Sequence, residues 1–382
     1  MRLRILVVTV VHDPDDARIR YRQLASLLEA GARVTFAAPF TAYGRTPPDD
    51  VEPVDLPRAA GRHRTAALLA ARRVLAREGP LHDVVLLHDP ELLLAVPAQR
   101  RAAPGARPTV VWDVHENTGA ALRMKRWVPS ALRPAAGWAV RAAERWAEGR
   151  HRLLLAEESY RDRFRREHPV VPNSVLVPDD DPPPPGDRRV VYLGRLTAAR
   201  GVREMIELGR LLSGRSDGEV QVELIGPADA DVRDDLAQAH DRGWVTHHGF
   251  VPNRAALPML RGALAGLAML HDQPNYARSR PTKVMEYMAL GVPVVTTPNP
   301  ASADLVRRYG SGLVVPFGDP TAAVEAVLGL RGDARRRTEL GAAGRAAAVR
   351  DLDWRVDGRR FAELLSDWGR PSAPSGWNPA PE

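Results

Sequence analysis

VPDDDPPPPGDRRVVYLGRLTAARG, Val177 to Gly201, is the stretch from which the architecture can be read. Pro182 to Pro185 bring no N–H to a helix or a ladder, so the segment up to Arg189 reads as an extended, semi-rigid connector. Val190–Leu193 then reads as a short β-branched strand. Gly194 allows a sharp exit from it, and a helix is expected to begin near Gly201. Arg195 and Arg200 stand between strand and helix. Two guanidiniums beside a helix N-terminus suit a diphosphate, because they neutralise it while free backbone N–H groups add donors.

Short apolar runs alternate with longer Ala/Leu/Arg stretches on both sides of that connector, the pattern of parallel sheets covered by helices. Before it the expected strands are Arg4–Val11, Arg33–Ala38, Val51–Leu56, Asp83–His88, Thr109–Val114 and Arg152–Ala156. Ile19–Ala30 and His63–Arg77 are helical stretches between them. After it come Val190–Leu193, Val220–Ile225, Val245–Phe250, Ala265–Leu270, Pro293–Thr297 and Leu313–Val315. The chain therefore divides into an N-terminal Rossmann-like domain, residues 1–180, a proline-rich linker, 181–189, and a second Rossmann-like domain, 190–350. A last helix within 351–369 carries Trp354, Phe361, Leu364, Leu365 and Trp368, a face wide enough to pack across both domains. Residues 370–382 are rich in Pro and Ser and read as a disordered tail.

Composition narrows the chemistry. The 382 residues include no cysteine, which excludes a disulfide framework, a thiolate metal site and a Cys nucleophile. The net charge of +7 is modest and rests almost wholly on arginine, since Lys125 and Lys283 are the only lysines. No stripe of alternating basic and aromatic residues argues for nucleic acid. The apolar run Ile5–Val11 is too short to span a membrane, so a cytoplasmic protein is expected. The stretch Arg123–Trp146, basic with interspersed Trp127, Trp138 and Trp146, reads as a surface helix with its apolar side inward. Its alternative is peripheral contact with the inner face of an anionic membrane.

Tandem doubly wound domains bind ligands at the carboxyl ends of their strands, and the polar residues lie there. In SRPTKVMEYMALGVPVVTT, Ser279 to Thr297, Pro281 and Thr282 are helix-start residues and Lys283 falls in the first turn. A lysine opposes the macrodipole at that position unless an anion is present. Glu286, three residues on, shares its face and can accept both hydroxyls of a ribose. In the first half, LLHDPELL ends a strand at His88–Asp89 and VVWDVHEN ends another at His115–Glu116. No metal-ligating cluster is evident, because the acidic run Asp179–Asp181 sits in the linker.

Together these segments resemble the retaining, nucleotide-sugar-dependent family-4 glycosyltransferases over about residues 3–369. The resemblance implies the GT-B fold, two Rossmann-like domains facing across a cleft with the C-terminal helix crossing back to the first. It further implies sugar transfer from a nucleoside-diphosphate sugar to a hydroxyl or amine acceptor, with retention, without a metal or other cofactor. Catalytic roles fall on His115, Arg195, Arg200 and Glu286. Donor binding falls on Gly194, Lys283, Thr282, Phe250, Val251, Arg278, Tyr276 and Asn275. Acceptor recognition is assigned to Asp13, Asp16, Arg18, His88, Asp89 and Glu116; a small-molecule or lipid-linked acceptor is expected.

Three positions depart from the family's pattern. Arg200 stands where Lys is usual, Arg278 stands where a second glutamate is usual eight positions before Glu286, and HDPDDARIR, His12 to Arg20, lacks a Gly-Gly turn. An arginine cannot accept hydrogen bonds from sugar hydroxyls. Arg278 therefore keeps open a non-catalytic nucleotide-sugar binder or a nucleotide-sugar epimerase.

Overall fold

The computed structural model describes residues 2–97, 108–115, 133–273, 276 and 281–370. The chain forms two compact units, one of Met1–Pro172 with Arg355–Glu382 and one of Asn173–Trp354. In the first unit β1 is Arg4–Val8, β2 Arg33–Ala38, β3 Glu52–Asp55, β4 Val84–Leu87, β5 Thr109–Val114 and β6 Arg152–Leu155. They pair in the order β3-β2-β1-β4-β5-β6, and every pairing is parallel. In the second unit β7 is Arg189–Leu193, β8 Gln221–Ile225, β9 Thr246–Gly249, β10 Ala265–Ala268, β11 Val294–Thr296 and β12 Gly312–Val314. Their order, β12-β11-β10-β7-β8-β9, repeats the winding of the first sheet. This is the α/β, doubly wound architecture that the alternating pattern predicts.

Helices cover both faces of each sheet, which is why strands such as Ile5–Val8 and Val84–Leu87 are apolar at every position and fully buried. Successive residues of β7 serve opposite cores. Val190 and Tyr192 pack with Met205, Leu208 and Leu267. Val191 packs with Met285, Tyr287 and Met288 on the other face. In each sheet the winding reverses between two central strands, β1 and β4 in one and β7 and β10 in the other. Loops leaving such a pair diverge and open a crevice at the carboxyl edge.

The proline stretch runs along the second unit. Val175 and Val177 enter its core. Gly186 N donates to Gly262 O at 3.0 Å, and Arg345 donates to Pro178 O at 2.7 Å. The helix Trp354–Gly369 returns the chain to the first unit, where Thr109 Oγ1 donates to Trp368 O at 2.7 Å. Ile19–Leu24 is a π-helical segment leading into a short α-helix, Ala25–Glu29, in place of the single helix the periodicity predicts. Among the described residues no helix is long and apolar enough to cross a membrane. The expected tail lies outside the described residues beyond Arg370, and so does much of Arg123–Trp146.

Candidate functional site

At the carboxyl edge of the second sheet, β7 is followed by Gly194, whose φ of 135° only glycine adopts at little cost. A Cβ built there would lie 3.4 Å from Lys283 Nζ, 3.6 Å from Arg200 Nη1 and 3.6 Å from Tyr192 Oη. The missing side chain thus leaves a recess lined by an ammonium, a guanidinium and a phenol. Lys283 comes from the first turn of the helix Thr282–Ala289, which follows Pro281. Its first backbone N–H groups have no partner within the helix and add to the positive field. Arg200 ends the 3₁₀ turn Ala198–Arg200, which is capped by Thr197 and closed by Gly201 in the left-handed region. A Cβ on Gly201 would collide with Met269 O, so the turn sits against the end of β10.

Lys283 Nζ is sheltered from solvent, has no hydrogen-bond partner among the described residues, and lies 3.7 Å from the centre of the Tyr192 ring. Burial, and then the charge of Arg200, push its pKa well below the usual ammonium value, against the pull of Glu286. An ammonium shielded from water between another cation and an aromatic face is costly unless an anion enters. The Tyr192 phenol is pushed up to about 12 by burial and stays neutral. Its hydroxyl and that of Tyr276 neighbour the Arg200 guanidinium. Glu286 is buried on the same helix as Lys283.

Gly194, Arg200, Lys283, Glu286 and Tyr276 therefore collect around one recess, and Thr282 opens the helix that carries Lys283. Arg195 is 64% exposed, and its Nε donates to Asp229 Oδ1 at 2.5 Å. Phe250 is exposed just past Gly249, and Val251 packs against the core. Asn275 and Arg278 lie outside the described residues. Tyr192, Tyr287 and the pair Glu204–His271 belong to this edge and escaped the sequence reading. Tyr287 accepts from Leu193 N and donates to Leu267 O, both at 3.1 Å. His271 Nε2 lies 2.8 Å from Glu204 Oε1.

The first unit gathers a second set at the matching edge of its sheet. Asp89, past β4, accepts from Thr9 Oγ1 at 3.0 Å and from the backbone of Val10 and Val11 at 2.6 and 3.2 Å. Past β1, His12 Nε2 lies 3.2 Å from Asp89 Oδ1 and 3.1 Å from His115 Nε2. Arg18 is turned inward. It holds buried Asp113 through two bonds of 2.8 and 2.7 Å and donates also to Val171 O, so it fixes this edge from beneath. Gln23 adds a bond to Asp113 at 3.1 Å. Burial would raise the Asp113 pKa, but Arg18 carries it well below the ordinary carboxylate value.

The histidines divide. His88, buried 3.3 Å from Asp113 Oδ2, is pushed down by burial. Burial also opposes charge on His115, yet Asp113 outweighs it and the net shift is upward. Asp16 caps Arg18 N and Ile19 N at 2.8 and 3.1 Å, while Asp13 is paired with Arg45. Glu116 lies outside the described residues. His88, Asp113 and His115 bring ligand-type atoms within 4.8 Å of one another. Asp113 already neutralises Arg18, however, and a cation there would face that guanidinium across the same carboxylate.

Comparison with known proteins bears on the second unit most directly. Residues 187–333 match the family model described as Glycosyl transferases group 1. That match spans β7 to the helix Pro320–Gly332, and so includes the whole Gly194–Arg200–Lys283 recess. The chain is 40% identical over 82 residues to the GDP-mannose-dependent alpha-(1-6)-phosphatidylinositol monomannoside mannosyltransferase of Mycolicibacterium smegmatis. It is 27% identical over 180 residues to the amylovoran biosynthesis glycosyltransferase AmsK of Erwinia amylovora. Those alignments take in 22% and 46% of this chain, and 22% and 44% of the respective relatives.

Among solved structures, sucrose-phosphate synthase from Thermosynechococcus elongatus superposes with a TM-score of 0.70 at 16% identity, covering 96% of this chain and 99% of that one. Anabaena HepE in complex with UDP-glucose gives 0.68 at 15% identity, covering 96% and 100%. These likenesses establish the fold, which is that of the GT-B glycosyltransferases.

Proposed function

We propose that the protein is a glycosyltransferase that moves a sugar from a nucleoside-diphosphate sugar to a hydroxyl or amine acceptor. The observation that carries this reading is Lys283, a sheltered ammonium without a hydrogen-bond partner among the described residues, beside Arg200 at a recess left by Gly194. Such a recess takes an anionic oxygen, and the Thr282–Ala289 helix N-terminus adds field of the same sign. A diphosphate held there becomes a good leaving group, because the positive groups stabilise the charge that grows as the sugar departs. Glu286 is assigned to the ribose hydroxyls, Phe250 and Val251 to the base, Tyr276 and His115 to the sugar.

Transfer proceeds with retention and without a metal. The acceptor oxygen bonds to the anomeric carbon on the face from which the phosphate leaves, and a phosphate oxygen takes the acceptor's proton. The match of residues 187–333 to the Glycosyl transferases group 1 model supports the reading, as do a relative named as GDP-mannose-dependent and a structural neighbour solved with UDP-glucose. A polyprenyl- or glycerolipid-linked saccharide and a small hydroxylated molecule are both acceptors of the proposed class.

The test is a thermal-shift series with UDP, GDP, UDP-glucose and GDP-mannose, since a ligand that binds only the folded state raises Tm by mass action. At least one nucleotide pair is expected to raise Tm in the wild type, and Lys283→Met is expected to abolish that rise. Absence of any shift with all four ligands overturns the proposal.

A further inference from the structure

Lys283, Arg200 and the adjoining helix terminus offer donors only. A sugar hanging from the diphosphate presents hydroxyls, which need acceptors as well. One acceptor stands at the same edge and is prepared for the task. His271 follows β10 by three residues, at the point where β10 and β7 diverge. Its backbone N donates to Ala199 O at 3.0 Å, which fastens it to the turn that carries Arg200. Thr297 Oγ1 donates to Leu270 O at 2.6 Å and fixes the preceding residue. The imidazole Nε2 lies 2.8 Å from Glu204 Oε1, with the Glu204 side chain 18% exposed and His271 37% exposed.

A carboxylate can only accept, so the Nε2 facing Glu204 carries the proton, and in the neutral ring Nδ1 keeps its lone pair. The other Glu204 oxygen, Oε2, is buried with no partner among the described residues. A carboxylate in that state holds its one hydrogen bond firmly and does not trade it for water. The pair thus fixes tautomer and ring orientation, and His271 N ties that ring to Ala199, the residue before Arg200.

Resting on the nucleotide-sugar reading of that recess, the geometry points to His271, oriented by Glu204, as a specificity-determining residue that accepts a hydrogen bond from a hydroxyl of the donor's sugar. Glu204 is its positioning residue. The nucleotide half of the ligand does not depend on the pair.

Titration calorimetry with UDP, UDP-glucose, GDP and GDP-mannose separates these contributions on the full chain. For the nucleotide pair that binds, His271→Gln is expected to weaken the nucleotide sugar about three- to tenfold, one neutral hydrogen bond, and to leave the parent diphosphate within about twofold. Gln is chosen because its Nε2 can still reach Glu204 while nothing replaces Nδ1. Glu204→Gln is expected to act in the same direction on the sugar alone. Lys283→Met serves as the contrast and weakens both ligands of the pair alike. Equal losses of diphosphate and sugar ligand in His271→Gln, or no loss in either, overturn the assignment. So does a loss in His271→Ala that His271→Gln fully restores, because that would make the tie to Glu204 merely structural. A wild type that binds none of the four ligands overturns the nucleotide-sugar reading itself, and this assignment falls with it.

Discussion

Two residues carry opposite kinds of buried charge, and each makes a prediction. Lys283 is sheltered beside Arg200, with no hydrogen-bond partner among the described residues, and burial and then that neighbouring charge hold its folded-state pKa below that of the unfolded chain. Above the ordinary value of 10.5 both states are neutral. As pH falls from there, the unfolded chain takes up a proton first, and the unliganded fold loses stability until its own pKa is passed. Lys283→Met is therefore expected to match or exceed the wild type in unliganded Tm at neutral pH while losing nucleotide binding. Asp113 behaves in the opposite sense, because Arg18 holds its pKa well below 3.8 despite burial. That stabilisation is complete above the unfolded value and disappears as pH falls through the folded one. Removing only Arg18 takes the guanidinium from a buried carboxylate, so Arg18→Met should cost about 3–5 kcal/mol in urea unfolding at pH 7. The double variant Arg18→Met/Asp113→Leu should recover much of it and show a flatter acid limb.

At the scale of elements, the second site exists because two strands part. The ladder between β7 and β10 pairs only Val190 with Ala265 and Val191 with Gly266. Beyond it the Tyr287 hydroxyl bridges Leu193 N and Leu267 O, and Gly266 makes room for the ring, since a Cβ there would approach it to 2.5 Å. Tyr287→Phe leaves the partly buried Leu193 N without its acceptor and should cost about 1–3 kcal/mol. Because the bridge sits one residue before Gly194, nucleotide affinity should fall with it, which the same calorimetry reads. Much of this was legible beforehand: most strands announced themselves as apolar runs, though β3 (EPVD) and β9 (THHG) are largely polar, and Gly194, Arg200 and Lys283 stood out as a glycine and two cations at strand or helix ends. The strand ends were less legible. β1 reads as continuing to Val11, yet it stops at Val8 because the Asp89 carboxylate takes the amides of Val10 and Val11 from about eighty residues away. Arg18 reads as an acceptor-recognition residue in the loop after β1 for the same reason, since its partner Asp113 is distant in sequence and the local pattern carries no trace of it. Glu204 and His271, likewise, are an ordinary helix residue and an ordinary loop residue until the fold puts them 2.8 Å apart.

For the whole molecule, the chain leaves the first unit at Pro172 and re-enters it at Arg355. The first unit is thus closed by a segment from the far end of the sequence. Phe361 and Leu365 of the helix Trp354–Gly369 are fully buried, and Gly369 sits so near Leu3 and Val84 that a Cβ would press on both. Burying large apolar side chains of this kind stabilises by about 1.5–3 kcal/mol each, and the loss of several at once approaches the whole stability of a typical domain. The second unit has two apolar clusters of its own, one on each face of its sheet. A chain ending at Trp354 should therefore lose the first unit's unfolding transition in scanning calorimetry and keep the second's. Because Gly194, Arg200, Lys283 and the Glu204–His271 pair all lie in the surviving unit, the truncated chain should still bind the nucleoside diphosphate that the full chain binds. Loss of both transitions together would mean that the two units fold as one cooperative body and that the donor site depends on the returning helix.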